Sequence, residues 1–244
     1  MTDIGTFPRL RLLVVGAKPG SLGDAVARAA RKADMDVITA GLGEEDRRVN
    51  LLVRSRVTDL IENVHPDHIV CTAGINRPAE VETFNEEMMV WLVPSFEHNV
   101  AGPMMLLTEW VRHLRRNVDM PETENLNLMN LRHFVGISSN SANIARGRSM
   151  AYCASKAALS MALRCAARDL GGRPCLVYGY EPGLLSGTPM SNDTERVFGK
   201  GSTRMKGAPH GLHVADVANE IVGGLRQRGI ARNGSLWRID AGEQ

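Results

Sequence analysis

Tyr152 and Lys156 lie four residues apart in the stretch Ala151-Tyr152-Cys153-Ala154-Ser155-Lys156. On a helix that spacing puts both side chains on one face. A free phenol has a pKa of about 10 and is a weak base at neutral pH. A neighbouring ammonium favours the phenolate and lowers that value. The pair can therefore take a proton from an alcohol or return one to a nascent alkoxide. Upstream, the apolar run 134–138 ends in Ser138-Ser139-Asn140-Ser141. A hydroxyl at a strand end can donate to a substrate oxygen and stabilise charge developing there. Ser139 is the candidate, with Ser138 and Ser141 as near alternatives by chemistry.

A second constellation suits a dinucleotide. Gly16-Ala17-Lys18-Pro19-Gly20-Ser21-Leu22-Gly23 follows the first apolar run and opens a helical pattern. Glycines there let the backbone turn tightly and approach a pyrophosphate, and the helix N-terminus adds unpaired N–H groups. A site that prefers NAD carries a carboxylate at the end of the second strand for the ribose hydroxyls. Here that end reads Thr39-Ala40-Gly41, while Lys18, Arg47 and Arg48 are nearby. The pattern favours NADP(H) modestly over NAD(H), because Glu44, Glu45 and Asp46 are also close in sequence.

The elements that must position these groups are read from apolar periodicity. Strands are predicted at 10–15, 37–40, 51–53 (weak), 68–72, 134–138, 175–180 and 236–239. Helices are predicted at 22–33, 59–64, 95–116, 152–170 and 214–225. Strands alternating with helices imply a parallel sheet covered on both faces. The fold class is α/β: a Rossmann-like, doubly wound parallel sheet in three α/β/α layers. No repeat or composition break divides residues 1–244, so one domain is expected. Residues 117–130 read as a surface insertion, and 186–211 as a long substrate loop.

Composition sets outer limits. The chain has 244 residues, 43% hydrophobic and 23% charged, with a net charge of +2. That balance shows no footprint of a nucleic-acid or polybasic membrane partner. The four cysteines, Cys71, Cys153, Cys165 and Cys175, form no CxxC pair and read as free thiols of a reducing compartment. Residues 1–11 hold no apolar signal core, and no run is long enough to span a bilayer. A soluble cytoplasmic protein is expected. His210 and His213 lack an evident third ligand, so no metal site is expected. Met88, Met89, Met104 and Met105 read as core or subunit packing. Arg196, Lys200, Arg204 and Lys206 in the 186–211 loop suggest closure over the cofactor and a preference for anionic substrates.

Taken in order, Gly16 and Gly20, Thr72-Ala73-Gly74, Asn99, Ile137-Ser138-Ser139, Tyr152 with Lys156, and Pro182-Gly183 resemble the short-chain dehydrogenase/reductases. The resemblance runs from residue 10 to about residue 242, and the Ser–Tyr–Lys set is its specific part. It implies a catalytic tetrad of Asn99, Ser139, Tyr152 and Lys156. Tyr152 would be the acid/base. Lys156 would lower its pKa and hold the nicotinamide ribose. Ser139 would polarise the substrate, and Asn99 would hold a relay water. The same resemblance implies cofactor contacts from Gly16, Lys18, Gly20, Leu22, Gly23, Ala73, Gly74, Tyr152, Lys156, Pro182, Gly183 and Thr188. The family's third glycine falls at Leu22, whereas the glycine stands at Gly23. Val15, Cys71-Thr72 and Arg56 also depart from the family pattern, and Thr188 follows Pro-Gly one residue late.

The expected activity is hydride transfer between NAD(P)(H) and a small-molecule carbonyl or secondary alcohol, in a homo-oligomer (tetramer or dimer) built through the two long helices. A non-catalytic NAD(P)-binding regulator or scaffold is the alternative. Epimerisation or dehydration on the same scaffold ranks third.

Overall fold

The most continuous apolar runs become strands that are buried along their length. They are β1 (Arg11–Val15), β4 (His68–Cys71), β5 (Arg132–Ile137) and β6 (Cys175–Pro182). A computed structural model of the chain describes residues 10–43, 45–78, 86–117, 131–171, 173, 175–198, 211–226 and 233–240. With β2 (Asp36–Gly41), β3 (Arg47–Arg48) and β7 (Leu236–Ile239), these strands form a seven-stranded sheet in the order β3-β2-β1-β4-β5-β6-β7. Every neighbouring pair is parallel. The direction of winding reverses between β1 and β4, which opens a crevice beyond their carboxyl ends.

Alternation along β1 shows why the sheet needs cover on both sides. Leu13 and Val15 join a core with α2 (Arg54–Val64), α4 (Gly102–Asn117) and α5 (Met150–Asp169). Leu12 and Val14 join a second core with α1 (Leu22–Lys32) and α7 (Val214–Arg226). The result is the three-layer, Rossmann-like arrangement expected from the sequence.

The differences lie where the apolar signal is short. The third strand is the pair Arg47–Arg48, set against Ala40 and Gly41, and not residues 51–53. Those three residues form the turn into α2, and Leu51 packs on the core. The helix predicted from 59 begins at Arg54, because buried Val57, Leu60, Ile61 and Val64 already make one apolar stripe. The helix predicted over 95–116 is composite: α3 (Glu86–Phe96), a π turn (Glu97–Ala101) and α4. Pro94 removes an N–H donor inside α3, three residues before the π turn begins. The 186–211 segment contains a helix, α6 (Pro189–Phe198). Its base is closed by a parallel bridge from Leu185 to Leu212, with Leu212 N–H donating to Leu184 at 2.6 Å. Residues 118–130 of the expected insertion and 199–210 of the expected loop, with Lys200, Arg204, Lys206 and His210, lie outside the described residues.

Among the described residues, no helix is long and apolar enough to cross a membrane. The four cysteines are unpaired. No group of three or more His, Cys, Asp or Glu among the described residues could hold a metal ion.

Candidate active site

Four segments converge at the carboxyl end of the sheet: the β1–α1 turn, the residues after β4, the turn after β5 with the start of α5, and the turn after β6.

Gly16 takes φ +90°, and a Cβ there would lie 2.7 Å from Ala73 N. A Cβ on Gly23 would meet Thr72 Oγ1 at 2.5 Å and Gly16 O at 2.6 Å. Gly23 thus provides the close helix-to-strand approach, one position later than the pattern expected at Leu22. Leu22 itself turns into the core beside α7 and offers only its backbone to the turn. Ser21 caps α1 by accepting from Asp24 N–H at 3.3 Å. Lys18 is exposed.

Gly20 takes φ +76°, and a Cβ there would have Pro189 Cδ as its nearest neighbour outside the turn, at 4.0 Å. At Gly20 the turn is therefore bare backbone, with the start of α6 as its nearest neighbour. A dinucleotide pyrophosphate fits this surface, since the first amides of α1 have no intrahelical partner. One feature works against an anion. The Asp24 carboxylate accepts from Gly20 N–H at 2.9 Å, and Arg28 pairs with it.

At the carboxyl end of β2, Asp46 is turned back onto the strand, where Oδ2 accepts from Thr39 N–H at 2.8 Å and Thr39 Oγ1–H at 2.9 Å. Its carboxyl lies below its usual range; the backbone bond from Thr39 contributes most, and the Thr39 hydroxyl, Arg31 and Arg47 add to it against the opposing effect of burial. Glu45 lies the other way, across the end of β2. A Cβ on Gly41 would collide with Glu45 Oε1, while Oε2 accepts from Gly43 N–H at 2.9 Å.

The π turn carries Asn99, which is fully buried. Its Oδ1 accepts from Ile75 N–H at 2.7 Å, and its Nδ2 donates to Ile75 O and to Ser155 Oγ, both at 2.9 Å. It therefore clamps the loop after Ala73-Gly74. A Cβ on Gly74 would lie 2.8 Å from Asn99 Oδ1 and 3.3 Å from Lys156 Nζ.

Ser139, Tyr152 and Lys156 come together at the start of α5. Lys156 is buried and donates from Nζ to Ile137 O at 2.8 Å. Its ammonium lies 5.8 Å from the centre of the Tyr152 ring. Burial pulls the Lys156 pKa down to about 8, with Cys71 acting the other way. Burial holds the Tyr152 phenol above its ordinary value, a hydrogen bond with Ser139 and the charge of Arg146 pull it back, and Cys153 adds to the rise. The groups that lower the phenol are thus Ser139 and Arg146.

The structure separates the three serines. Ser138 Oγ donates to Lys156 O at 3.0 Å and meets Ser160 at 2.8 Å, so it is spent on packing the helix. Ser141 Oγ accepts from Arg146 Nε at 2.7 Å. Ser139 is the one that acts on the Tyr152 phenol, pulling its pKa down. Gly183 N–H donates to Ile239 O at 2.8 Å, which ties the Pro182-Gly183 turn to β7. Thr188 is buried, and its hydroxyl meets Ser191 Oγ at 3.0 Å in the first turn of α6. Arg146, Asn143, Ser160 and Glu181 were not among the predicted site residues. Glu181 had left a signal, an acid inside the apolar run 175–182.

Residues 11–197 match the family model for short chain dehydrogenases. The chain belongs to the short-chain dehydrogenase/reductase family of oxidoreductases. Solved structures share its fold at low identity. One is an oxidoreductase of this family from Burkholderia thailandensis, with TM-score 0.77 and 20% identity over 96% of this chain and 92% of that one. Another is the aldohexose dehydrogenase of Thermoplasma acidophilum, with TM-score 0.75 and 17% identity over 95% of this chain and 92% of that one. A third, from Beutenbergia cavernae, contains bound NADP at low occupancy. It has TM-score 0.76 and 18% identity over 95% of each chain. A comparison with curated protein sequences finds no match.

Proposed function

We propose that this chain is one coenzyme-binding domain that interconverts a carbonyl and a secondary alcohol, with Tyr152 as acid/base. The observation that carries the reading is the gathering of Ser139, the Tyr152 phenol that it acts on, and the buried Lys156, 5.8 Å from the Tyr152 ring, at the carboxyl end of the sheet. A bound nicotinamide coenzyme would supply or accept the hydride. In reduction, the Tyr152 hydroxyl gives its proton to the nascent alkoxide, and in oxidation its oxygen takes the alcohol proton. Ser139 donates to the same substrate oxygen and stabilises its developing charge. Lys156 directs its ammonium to the nicotinamide ribose, and Asn99 supports a relay water next to the loop it clamps. Gly16, Gly20, Gly23 and the Ala73-Gly74 turn carry the pyrophosphate and adenosine side. Pro182, Gly183 and Thr188 border the nicotinamide.

NADP(H) is the first reading for the coenzyme, supported by the missing carboxylate at Ala40 and by Lys18, Arg47 and Arg48 around the adenosine end. NAD(H) is the second, and a specific observation favours it: the Glu45 carboxylate lies across Gly41, where it would repel a 2′-phosphate and accept from ribose hydroxyls. Titration with NADPH and NADH, followed by nicotinamide fluorescence, tests both. Tighter binding of NADPH is expected, and Glu45→Gln should tighten it further by roughly 3- to 10-fold while leaving NADH within about 3-fold, the scale of one like-charge contact near a surface. If the wild type prefers NADH and Glu45→Gln removes that preference, the NADP reading fails. If folded protein binds neither, the oxidoreductase reading fails.

We also read the protein as a cytoplasmic homo-oligomer. Met89, Val90, Trp91, Val93 and Phe96 on α3, with Met161 on α5, expose apolar surface, and Met104 and Met105 line an open groove on α4. Exposed apolar side chains gathered on one helix in this number mark association. Sedimentation at micromolar concentration should give a dimer or tetramer, and a monomer there removes this reading.

A further inference from the structure

Glu181 is a buried acid that the reaction above does not use. It sits at the end of β6, between Tyr180 and the Pro182-Gly183 turn, and is 4% exposed. Both carboxylate oxygens meet neutral donors. Ser160 Oγ–H donates to Oε1 at 2.7 Å, and Asn143 Nδ2–H donates to Oε2 at 2.6 Å. Among the described residues no cation forms an ion pair with it. A buried carboxylate held only by neutral donors is costly to keep, because each missing bond would leave it uncompensated.

What it joins gives it a use. Asn143 closes the short 3₁₀ turn Asn140–Ala142 that Ser139 opens, and its N–H donates to Asn140 O at 3.1 Å. Ser141 N–H, in the same turn, donates to Ser139 Oγ at 3.2 Å. On the other side, Ser160 lies one helical turn beyond Lys156 on α5 and meets Ser138 Oγ at 2.8 Å. Ser138 in turn bonds the Lys156 carbonyl at 3.0 Å. Three segments are therefore held by one carboxylate: the turn with Ser139, the helix with Tyr152 and Lys156, and the strand that leads into Pro182-Gly183.

We propose that Glu181 is a positioning residue that sets Ser139 against Tyr152 by tying the Ser139 turn, through Asn143, to α5, through Ser160. The inference rests on the reaction assigned to Ser139 and Tyr152 above. A displacement of about 1 Å at reacting groups is enough to cost roughly 100-fold in rate. A tie between the two groups is therefore a catalytic lever even though it touches no substrate.

Glu181→Gln separates the tie from the charge. The glutamine oxygen accepts from Asn143. Its amide N–H donates to Ser160, Ser160 donates to Ser138, and Ser138 donates to the Lys156 carbonyl. The glutamine N–H adds the third proton that the three contacts among Glu181, Ser160, Ser138 and the Lys156 carbonyl need, so no tie is lost, and kcat for NADPH-dependent reduction of a vicinal diketone should remain within about 3-fold of wild type. Glu181→Ala should lower kcat by roughly 10- to 100-fold, with KM and the NADPH dissociation constant within about 3-fold. Equal losses in the two variants would overturn the tie, as would a Glu181→Ala protein with wild-type kcat.

Asn143→Ala covers the case in which Glu181→Ala does not fold, because Asn143 is exposed. The readout for it needs no substrate: the tyrosinate absorbance of Tyr152, taken as the difference from Tyr152→Phe. The groups acting on this phenol are Ser139, Arg146 and Cys153, with Lys156 against the ring. Ser139 lowers its pKa, so loosening the turn should raise the titration midpoint in Asn143→Ala. An unmoved midpoint overturns the proposal. A wild type that binds no coenzyme and reduces no carbonyl refutes the assigned reaction instead, and the phenol titration still decides the tie.

Discussion

Tyr152→Phe is expected to lower kcat by roughly 10²- to 10⁴-fold, the usual scale of a positioned general acid or base. NADPH affinity should stay within about 3-fold, because the substitution removes one oxygen and keeps the ring that packs near Lys156. The melting temperature should hold as well. The variant keeps the half-buried ring in place and removes only its hydroxyl. Steady-state kinetics and fluorescence titration on the same preparation check the split. A variant that keeps wild-type kcat would remove Tyr152 from the chemistry, and one that loses coenzyme binding and kcat together would make it a structural residue. The pH dependence has a definite sign. Burial holds the phenol above its ordinary value, so it stays protonated, as an acid must, through neutral and mildly alkaline pH. As far as the phenol decides it, reduction should therefore be flat through neutral pH, and it should fall only where Lys156 loses its proton, above about 8. Oxidation, which needs the phenolate, should climb with pH.

The parts of this site that the sequence exposed share a physical origin. β1, β4, β5 and β6 are legible because both faces of the sheet are covered, which forces continuous apolar runs. Tyr152 and Lys156 are legible because helix spacing is fixed by geometry. Other features depend on contacts that sequence does not carry. β3 is two arginines held by backbone pairing to Ala40 and Gly41, so it has no side-chain pattern to read. The π turn adds one residue to a helix and shifts the periodicity, and Pro94 was its only local sign. Three neighbouring acids, Glu44, Glu45 and Asp46, looked equivalent in the sequence. Thr39 takes up Asp46 through two hydrogen bonds, which sets it apart from Glu45, whose side chain crosses the end of β2. Ser138, Ser139 and Ser141 were separated in the same way, by which neighbour claims each hydroxyl.

The shift of the third glycine is the clearest case of a departure that the fold absorbs. At Leu22 the pattern loses a glycine, yet Leu22 finds a place in the apolar layer beneath α7. Gly23 then supplies the missing Cβ space against Thr72 and Gly16. The physical requirement is a bare α-carbon at the crossing of α1 with the β1 and β4 turns, and one residue of slip still meets it.

Lys156→Met should have the second large effect, and on more than one observable. Its ammonium is buried, donates to Ile137 O and lies within reach of Gly74 and the Tyr152 ring. Removing hydrogen bonds from a charged group costs about 1.5–3 kcal/mol, so NADPH affinity should fall by roughly 10- to 100-fold, together with kcat. The acid–base signature is more telling than the magnitude. Burial lowers the Lys156 pKa from 10.5 to about 8, so between those values the unfolded chain binds more protons than the folded one. Stability should then rise with pH across that window and be insensitive to this group below it. Coenzyme affinity should move in the opposite sense, falling as pH passes about 8 and the ammonium is lost, with the midpoint displaced upward in the complex because the bound ribose favours the charged form. Thermal melts and NADPH titrations from pH 6 to 10 on wild type and Lys156→Met test this pair of trends. If the variant retains both, the titrating group is elsewhere and Lys156 is only packing. If it loses both, one buried ammonium accounts for an alkaline gain in stability and an alkaline loss of coenzyme binding. That opposition is what a lysine held in the core for a ligand's benefit must produce.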